Sequence, residues 1–302
     1  MELLLNESRK VYLSKINKVQ DYIESNLEEE LSNQLLANIA SFSEYHFQRI
    51  YRQITGESLY GFIKRLRLEK AIFLLRADHK RQIQDIALSV GFSNQASFAK
   101  ALKERYGVSA SLLRKMEEQE LGKLISDISR NGKVSDEIIY YNKPIEVNIT
   151  MIEPVKILYL RHTGAYKGDA DLFQKLFDRL YGYGEKNGFL HSGTKWYAIY
   201  HDYGGLTEEV RLRVSIGMSI REDIRCQEEF GSTELAGGRY AVGSFLLDND
   251  EYQGAWNYMI SKWLPESGYM PDDRLCFECY PPQEEEEGSR RLVEIFIPII
   301  PL

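Results

Sequence analysis

Residues 82–102 read QIQDIALSVGFSNQASFAKAL. Ile83, Ile86, Ala87 and Val90 recur at helical spacing on one apolar face, which predicts a helix reaching Val90. Gly91 then supplies a turn, because glycine takes positive φ with no Cβ to clash. Ser93 or Asn94 is placed to cap the next helix, since a short side-chain oxygen satisfies an amide at a helix start. Outward from there, residues 32–51 read SNQLLANIASFSEYHFQRIY and make the same pattern. Ser32 caps a helix with Leu35, Leu36 and Ile39 on one face, the chain breaks at Ala40-Ser41-Phe42, and Ser43 caps a helix that buries Phe47, Ile50 and Tyr51.

The two stretches are copies of one helix-turn-helix unit. Ala37 and Ala87 lie 50 residues apart, as do the pairs Phe42-Ser43 and Phe92-Ser93. After one inserted residue, Phe47 matches Phe98, Arg49 matches Lys100 and Arg52 matches Lys103. Both copies close on a similar corner, Thr55-Gly56-Glu57-Ser58 and Tyr106-Gly107-Val108-Ser109. Between them, Leu59, Phe62, Ile63, Leu66, Ile72 and Leu75 predict a long amphipathic connecting helix.

Charge separates this block from the rest of the chain. Residues 41–115 hold 14 Lys/Arg against 6 Asp/Glu, a net of +8. The whole chain carries −7, so the remainder carries −15. A basic block of this size suits a polyanion. Over residues 10–115 the chain resembles the AraC/XylS family of transcription regulators. The match is carried by Leu35 to Tyr51, by TGESLYGFIKRLRLEKA, and above all by IQDIALSVGFSNQASFAKALKERYGVS. Ser41 departs from the family, which usually has Gly there.

An α-helix fits the DNA major groove, and in a helix-turn-helix the second helix enters with its N-terminal residues toward the bases. The solvent side of the first recognition helix carries Tyr45, His46, Gln48, Arg49 and Arg52; that of the second carries Gln95, Ala96, Ser97, Lys100 and Lys103. Arg49 can pair with guanine, and Gln48 or Gln95 with adenine. The resemblance implies base contacts at Tyr45, Gln48, Arg49, Ala96, Ser97 and Lys100. Both readers sit in one chain, so the double-stranded DNA site need not be palindromic. It should span two successive major-groove segments ~34 Å apart. RNA polymerase is the expected downstream partner.

Residues 116–144 lose periodicity and are read as a linker ending near Pro144. Beyond it a second duplication appears. Strand VKILYL (155–160), the motif Ala165-Tyr166-Lys167-Gly168 and a helix with Phe173, Leu176 and Phe177 are matched 86 residues later. There a strand at 240–247 precedes Glu251-Tyr252-Gln253-Gly254 and a helix with Trp256, Met259 and Trp263. Two strands follow each helix, at 196–201 with 211–220 and at 275–280 with 291–299. This tandem strand-helix-strand-strand repeat predicts an antiparallel sheet with a cleft where the copies meet. Residues 145–302 resemble the GyrI-like ligand-binding domain through YLRHTGAYKG, GGRYAVGSFLLDNDEYQGAW, WLPESGY and CFECYPP.

Strand alternation places Phe277 and Cys279 on one face and Cys276, Glu278 and Tyr280 on the other. Tyr197 and Ile199 likewise oppose Trp196 and Tyr200. The first face is apolar enough to lie under helices, whereas the second offers aromatics around one carboxylate. Trp196, Tyr200, Glu278 and Tyr280 can bind an organic cation by stacking, cation–π attraction and charge pairing. Trp256 belongs either to this pocket or to the helix core. The resemblance independently implies that Glu278 is the pocket glutamate.

Competing chemistry has little support. Cys276 and Cys279 face opposite sides of a strand and cannot chelate one metal, and the five histidines show no ligand spacing. No phosphate-binding loop and no nucleophile elbow is present, so no cofactor or metal is expected. The N-terminus shows no signal peptide, no run approaches 18 apolar residues, and three cysteines make no disulfide framework, so a cytoplasmic protein with no membrane partner is expected. The expected fold is multidomain, all-α followed by α+β. It comprises a tandem helix-turn-helix domain at 8–115, a linker at 116–144 and a duplicated β-α-β-β domain at 145–302. The expected function is a DNA-binding transcription regulator modulated by a small molecule. The alternative is a hydrolase or drug-sequestering protein using the pocket Glu and Tyr.

Overall fold

The computed structural model describes residues 2–117, 120, 121, 124, 141–202, 207–222, 224, 226, 229–272, 274–282 and 290–301. Two compact units form. One gathers Met1–Ser135, Asp202–Arg211 and Gln227–Glu229; the other gathers Asp136–His201, Leu212–Cys226 and Phe230–Leu302.

The first unit is helical: α1 (Glu2–Ser25), α2 (Asn33–Ile39), α3 (Glu44–Thr55), α4 (Leu59–Ala77), α5 (Ile83–Ser89), α6 (Gln95–Tyr106) and α7 (Ala110–Lys115). The helix starts follow the capping logic. Ser32 Oγ accepts from Leu35 N, Ser58 Oγ from Gly61 N, Ser109 Oγ from Leu112 N, and Asn94 rather than Ser93 caps α6 by accepting from Ser97 N. Ser43 holds the cap position of α3 without a side-chain bond. Gly56 and Gly107 end α3 and α6 in the left-handed conformation.

Each helix-turn-helix has its own core. In the first, Ile16, Val19 and Ile23 of α1 pack on Leu36, Phe47, Tyr51 and the front half of α4, Leu59 to Leu66. In the second, Leu68, Ile72 and Leu75 of α4 pack on Ile86, Val90, Phe98, Leu102 and Leu113. The strut α4 therefore belongs to both cores. Helix α1, which lies wholly outside the repeat, was not legible from it. Leu121 is buried in the second core, with Met116 packed against it, so the helical core runs past the expected linker start at 116. Most of the remaining linker lies outside the described residues. Asp202–Arg211, inside the stretch expected to form the C-terminal domain, clusters with the helices.

The second unit contains strands β1 (Glu146–Ile152), β2 (Val155–Thr163), β3 (Trp196–Tyr200), β4 (Arg213–Ser219), β5 (Phe230–Leu235), β6 (Gly238–Leu247), β7 (Tyr269–Pro271), β8 (Cys276–Tyr280) and β9 (Arg291–Pro301). Eight run antiparallel in the order β1-β6-β9-β8-β3-β4-β2-β5, and β7 pairs with β9. Helix α8 (Ala170–Lys186) follows β2. Helix α9 (Tyr252–Asn257) follows β6 and continues through π-helical Tyr258–Trp263. The duplication is thus β2-α8-β3-β4 and β6-α9-β8-β9, with β3 and β8 meeting at the centre. Each copy also receives an edge strand from ahead of the other: β1 pairs with β6, and β5 with β2.

One sequence expectation is overturned. The face carrying Trp196, Tyr200 and Tyr280 is the one that packs with residues of α8 and α9. The opposite face, with Tyr197, Ile199, Phe277 and Cys279, clusters with residues of the strands and their connections, including Tyr159, Tyr240 and Phe296. Alternation separates two faces but does not say which one the helices cover. Aromatics with polar tips cover apolar surface as well as aliphatics do.

Candidate functional site

On α3, Gln48, Arg49 and Arg52 are exposed; the side chains of Tyr45 and His46 lie outside the described residues. On α6, Gln95, Ala96, Lys100 and Lys103 are exposed and Ser97 is half-buried. The Ser97 hydroxyl donates to the Asn94 carbonyl at 2.8 Å, which commits its proton to the helix start. Lys100 is 80% exposed, and its ammonium lies 4.0 Å from Glu104, a pairing too loose and wet to hold it. Glu104 instead meets Lys64 of α4 at 2.9 Å. Arg52 and Lys103 occupy the last turns, where their carbonyls accept from Gly56 and Gly107. Arg52 also lines a cleft of about 350 Å³ with Glu57, Ser58, Arg105 and Arg211.

In the sheet unit, β8 places Glu278 under α9 with only 1% of its surface exposed. Trp256 Nε1 donates to Glu278 Oε1 at 2.6 Å, and the Tyr280 hydroxyl donates to Oε2 at 2.6 Å. Tyr200 also hydrogen-bonds the carboxylate. Burial pushes the Glu278 carboxyl above the ordinary carboxylate range, and the Tyr280, Trp256 and Tyr200 bonds recover part of that shift. The same burial, with the Glu278 charge nearby, raises Tyr200 and Tyr280 well above the usual phenol range and Tyr252 to about 12. Of the five expected pocket residues, Tyr200, Trp256, Glu278 and Tyr280 form one hydrogen-bonded box. Trp196 stands one ring away: Phe177 packs edge-on to it at 6.1 Å and to Tyr280 at 5.4 Å.

The sequence reading missed Tyr252, which hydrogen-bonds Tyr280, and Tyr166, whose ring centroid lies 5.9 Å from that of Tyr200. Both were findable. They are the tyrosines of the repeated Tyr-x-Gly motifs, 86 residues apart, so the duplication itself puts one beside each central strand. Among the described residues, no group of three His, Cys, Asp or Glu side chains is arranged to hold a metal ion, and no helix is long and apolar enough to cross a membrane.

Two helix-turn-helix units on a shared strut, together with a duplicated β-α-β-β sheet around one buried carboxylate, define a two-part architecture. The chain belongs to the GyrI-like small molecule binding domain family, which it matches over residues 145–300, and residues 36–116 match a helix-turn-helix domain of AraC type. It is 38% identical over 96 residues to the uncharacterized HTH-type transcriptional regulator YbfP of Bacillus subtilis, which covers 32% of each chain. It is 38% identical over 99 residues to the HTH-type transcriptional activator AarP of Providencia stuartii, covering 33% of this chain and 73% of that one. A DNA gyrase inhibitor of Yersinia enterocolitica is 26% identical over 132 residues, 42% of this chain and 81% of its own. The chain spans about a third of the length of YbfP, the first of these relatives.

Proposed function

We propose that this protein is a sequence-specific transcription regulator that reads double-stranded DNA with α3 and α6 and is modulated by a small organic cation held at Glu278. The observation that carries the first half is the pair of separately packed helix-turn-helix units on α4, each exposing polar and basic side chains at matching positions. Gln48, Arg49, Gln95, Ala96 and Lys100, toward the helix starts or middles, read bases. Ala96 offers only a methyl, which suits thymine. Tyr45 and His46 of α3 complete the proposed set of DNA contacts. Ser97 acts as an acceptor, since its proton is committed. Arg52 and Lys103, in the last turns, contact phosphates.

Support for the second half is the Glu278 box. A carboxylate buried among Tyr200, Trp256 and Tyr280 with a raised pKa is costly to ionise, and an incoming cation offsets that cost. Both carboxylate oxygens are occupied by Trp256 and Tyr280, an arrangement for binding rather than for proton transfer to a substrate. The working division is residues 8–115 as reader and 145–302 as sensor, in a cytoplasmic protein acting on RNA polymerase.

In vitro selection from random duplexes with the full chain tests the reading. It should enrich a non-palindromic site with two fixed boxes about one helical turn apart. Enrichment of no site contradicts it.

A further inference from the structure

The two copies of the sheet repeat each receive an edge strand, and the two edges are unlike. β5 pairs with β2 and β1 with β6, and among the described residues no strand pairs with the outer side of either. An open edge offers unpaired N–H and C=O groups to any other strand, so edges are ordinarily guarded by polar and charged side chains. β5 follows that rule: its exposed residues are Ser232 and Glu234. β1 does not. Ile149 is 46% exposed and Met151 66%, and Ile145 just ahead of the strand is 67% exposed.

Pairing with β6 fixes the two faces of β1. Val147 and Ile149 lie opposite Gly243 and Ala241, and cross-strand partners share a face. Val147 and Ala241 pack in the core that holds Ala255 of α9. Ile149 and Met151 therefore prolong the α9 face of the sheet to its edge, while Glu146, Asn148 and Thr150 take the other face. A strand that completes this edge must be apolar on the α9 face and polar on the opposite one.

β1 itself meets that requirement. Set antiparallel to a second β1 about Asn148, it brings Val147 of each copy opposite Ile149 of the other, Ile145 opposite Met151, and Glu146 opposite Thr150. The same register carries the exposed Lys143 at one end toward the exposed Glu153 at the other, twice by symmetry. Moving the axis by one residue loses this match. About Val147, Lys143 faces Met151; about Ile149, Glu153 faces Ile145.

We propose that β1 is the dimer interface of this protein: it pairs antiparallel with β1 of a second copy about a twofold axis at Asn148, joining two sheets into one. Main-chain hydrogen bonds hold the strands, the Val147–Ile149 and Ile145–Met151 pairs supply apolar burial, and the Lys143–Glu153 pairs fix the register. The dimer brings four helix-turn-helix units into one particle.

Sedimentation velocity of the full chain over micromolar concentrations tests it, and should show a monomer–dimer equilibrium. Ile149→Lys, at a side chain already half exposed in the monomer, should weaken the dimer by about 100-fold with the circular dichroism unchanged. Lys143→Glu and Glu153→Lys should each weaken it by about tenfold at low salt, and the double exchange should restore it. These two residues are exposed at the ends of β1, so the exchange reads the register without disturbing the fold. A wild-type monomer at every concentration overturns the proposal, and leaves the edge to another segment of this chain or to a different protein. A dimer indifferent to Ile149→Lys, or one that the double exchange does not restore, overturns it as well.

Discussion

Ala198 and Glu278 face each other across the β3–β8 pairing, at equivalent positions of the two repeats, 80 residues apart. Both are buried. The duplication therefore carries one carboxylate at its centre rather than two. Two carboxylates at this spacing could not both ionise, and one would have to keep its proton. The asymmetry gives the sheet unit a single acidic point surrounded by donors. Ala198→Glu should accordingly destabilise the sheet unit by ~3 kcal/mol or more, read from the thermal transition of the full chain.

Glu278 also sets a pH dependence. Its native pKa is raised, so the folded chain holds this proton to higher pH than the unfolded chain does. The sheet unit should lose stability as pH climbs from the ordinary carboxylate range through the raised native value, and stop losing it above. Cation binding favours the ionised form, so tetraphenylphosphonium affinity should rise over the same window while a neutral ligand of similar size shows no trend. In Glu278→Gln the affinity trend should vanish and the stability loss should shrink, with Glu294 of β9, also raised by burial, keeping the remainder. A cation affinity that is flat with pH in the wild type would show that Glu278 does not face the ligand.

Base reading makes a sharper claim than charge. Arg49→Ala and Lys100→Ala should each cost ~1–3 kcal/mol on the selected duplex and less on random DNA. Arg52→Ala, in the last turn, should weaken both duplexes alike and lower the salt slope by about 1. Competition binding at two salt concentrations separates the two outcomes.

The turns of the two reading units differ in one residue. Ser41 and Gly91 hold the corresponding turn positions, with φ of 54° and 88°. Ser41 is the only non-glycine residue with positive φ among those described. A left-handed residue with a Cβ costs ~1–2 kcal/mol, which glycine's greater freedom in the unfolded chain offsets in part. Ser41→Gly should therefore stabilise the helical unit by about 0.5 kcal/mol. Gly91→Ala should do the reverse and strongly, because its Cβ would come 2.6 Å from the Leu27 carbonyl and the Arg67 guanidinium. Helical circular dichroism through thermal unfolding reads both shifts.

Much of this was legible in the sequence, for reasons particular residues make plain. Phe47 and Phe98, or Ala37 and Ala87, could be paired because a duplicated unit must bury the same positions twice, and all four are buried. Glu278 was legible as a lone carboxylate among aromatics on one strand face. Which face the helices cover was not, because Trp196, Tyr200 and Tyr280 look polar-tipped and exposed in a one-dimensional reading. Helix α1 was missed because the repeat that organises the rest of the helical unit does not reach it.

The central claim, that two helical readers recognise a particular DNA sequence, is tested most directly by one comparison. The full chain is titrated against the selected duplex and against a scrambled duplex of the same composition at physiological salt. The account predicts binding at least 10³-fold tighter to the selected duplex. Equal affinity for the two, falling together with salt, would show that the basic block contacts only the phosphate backbone and would contradict it.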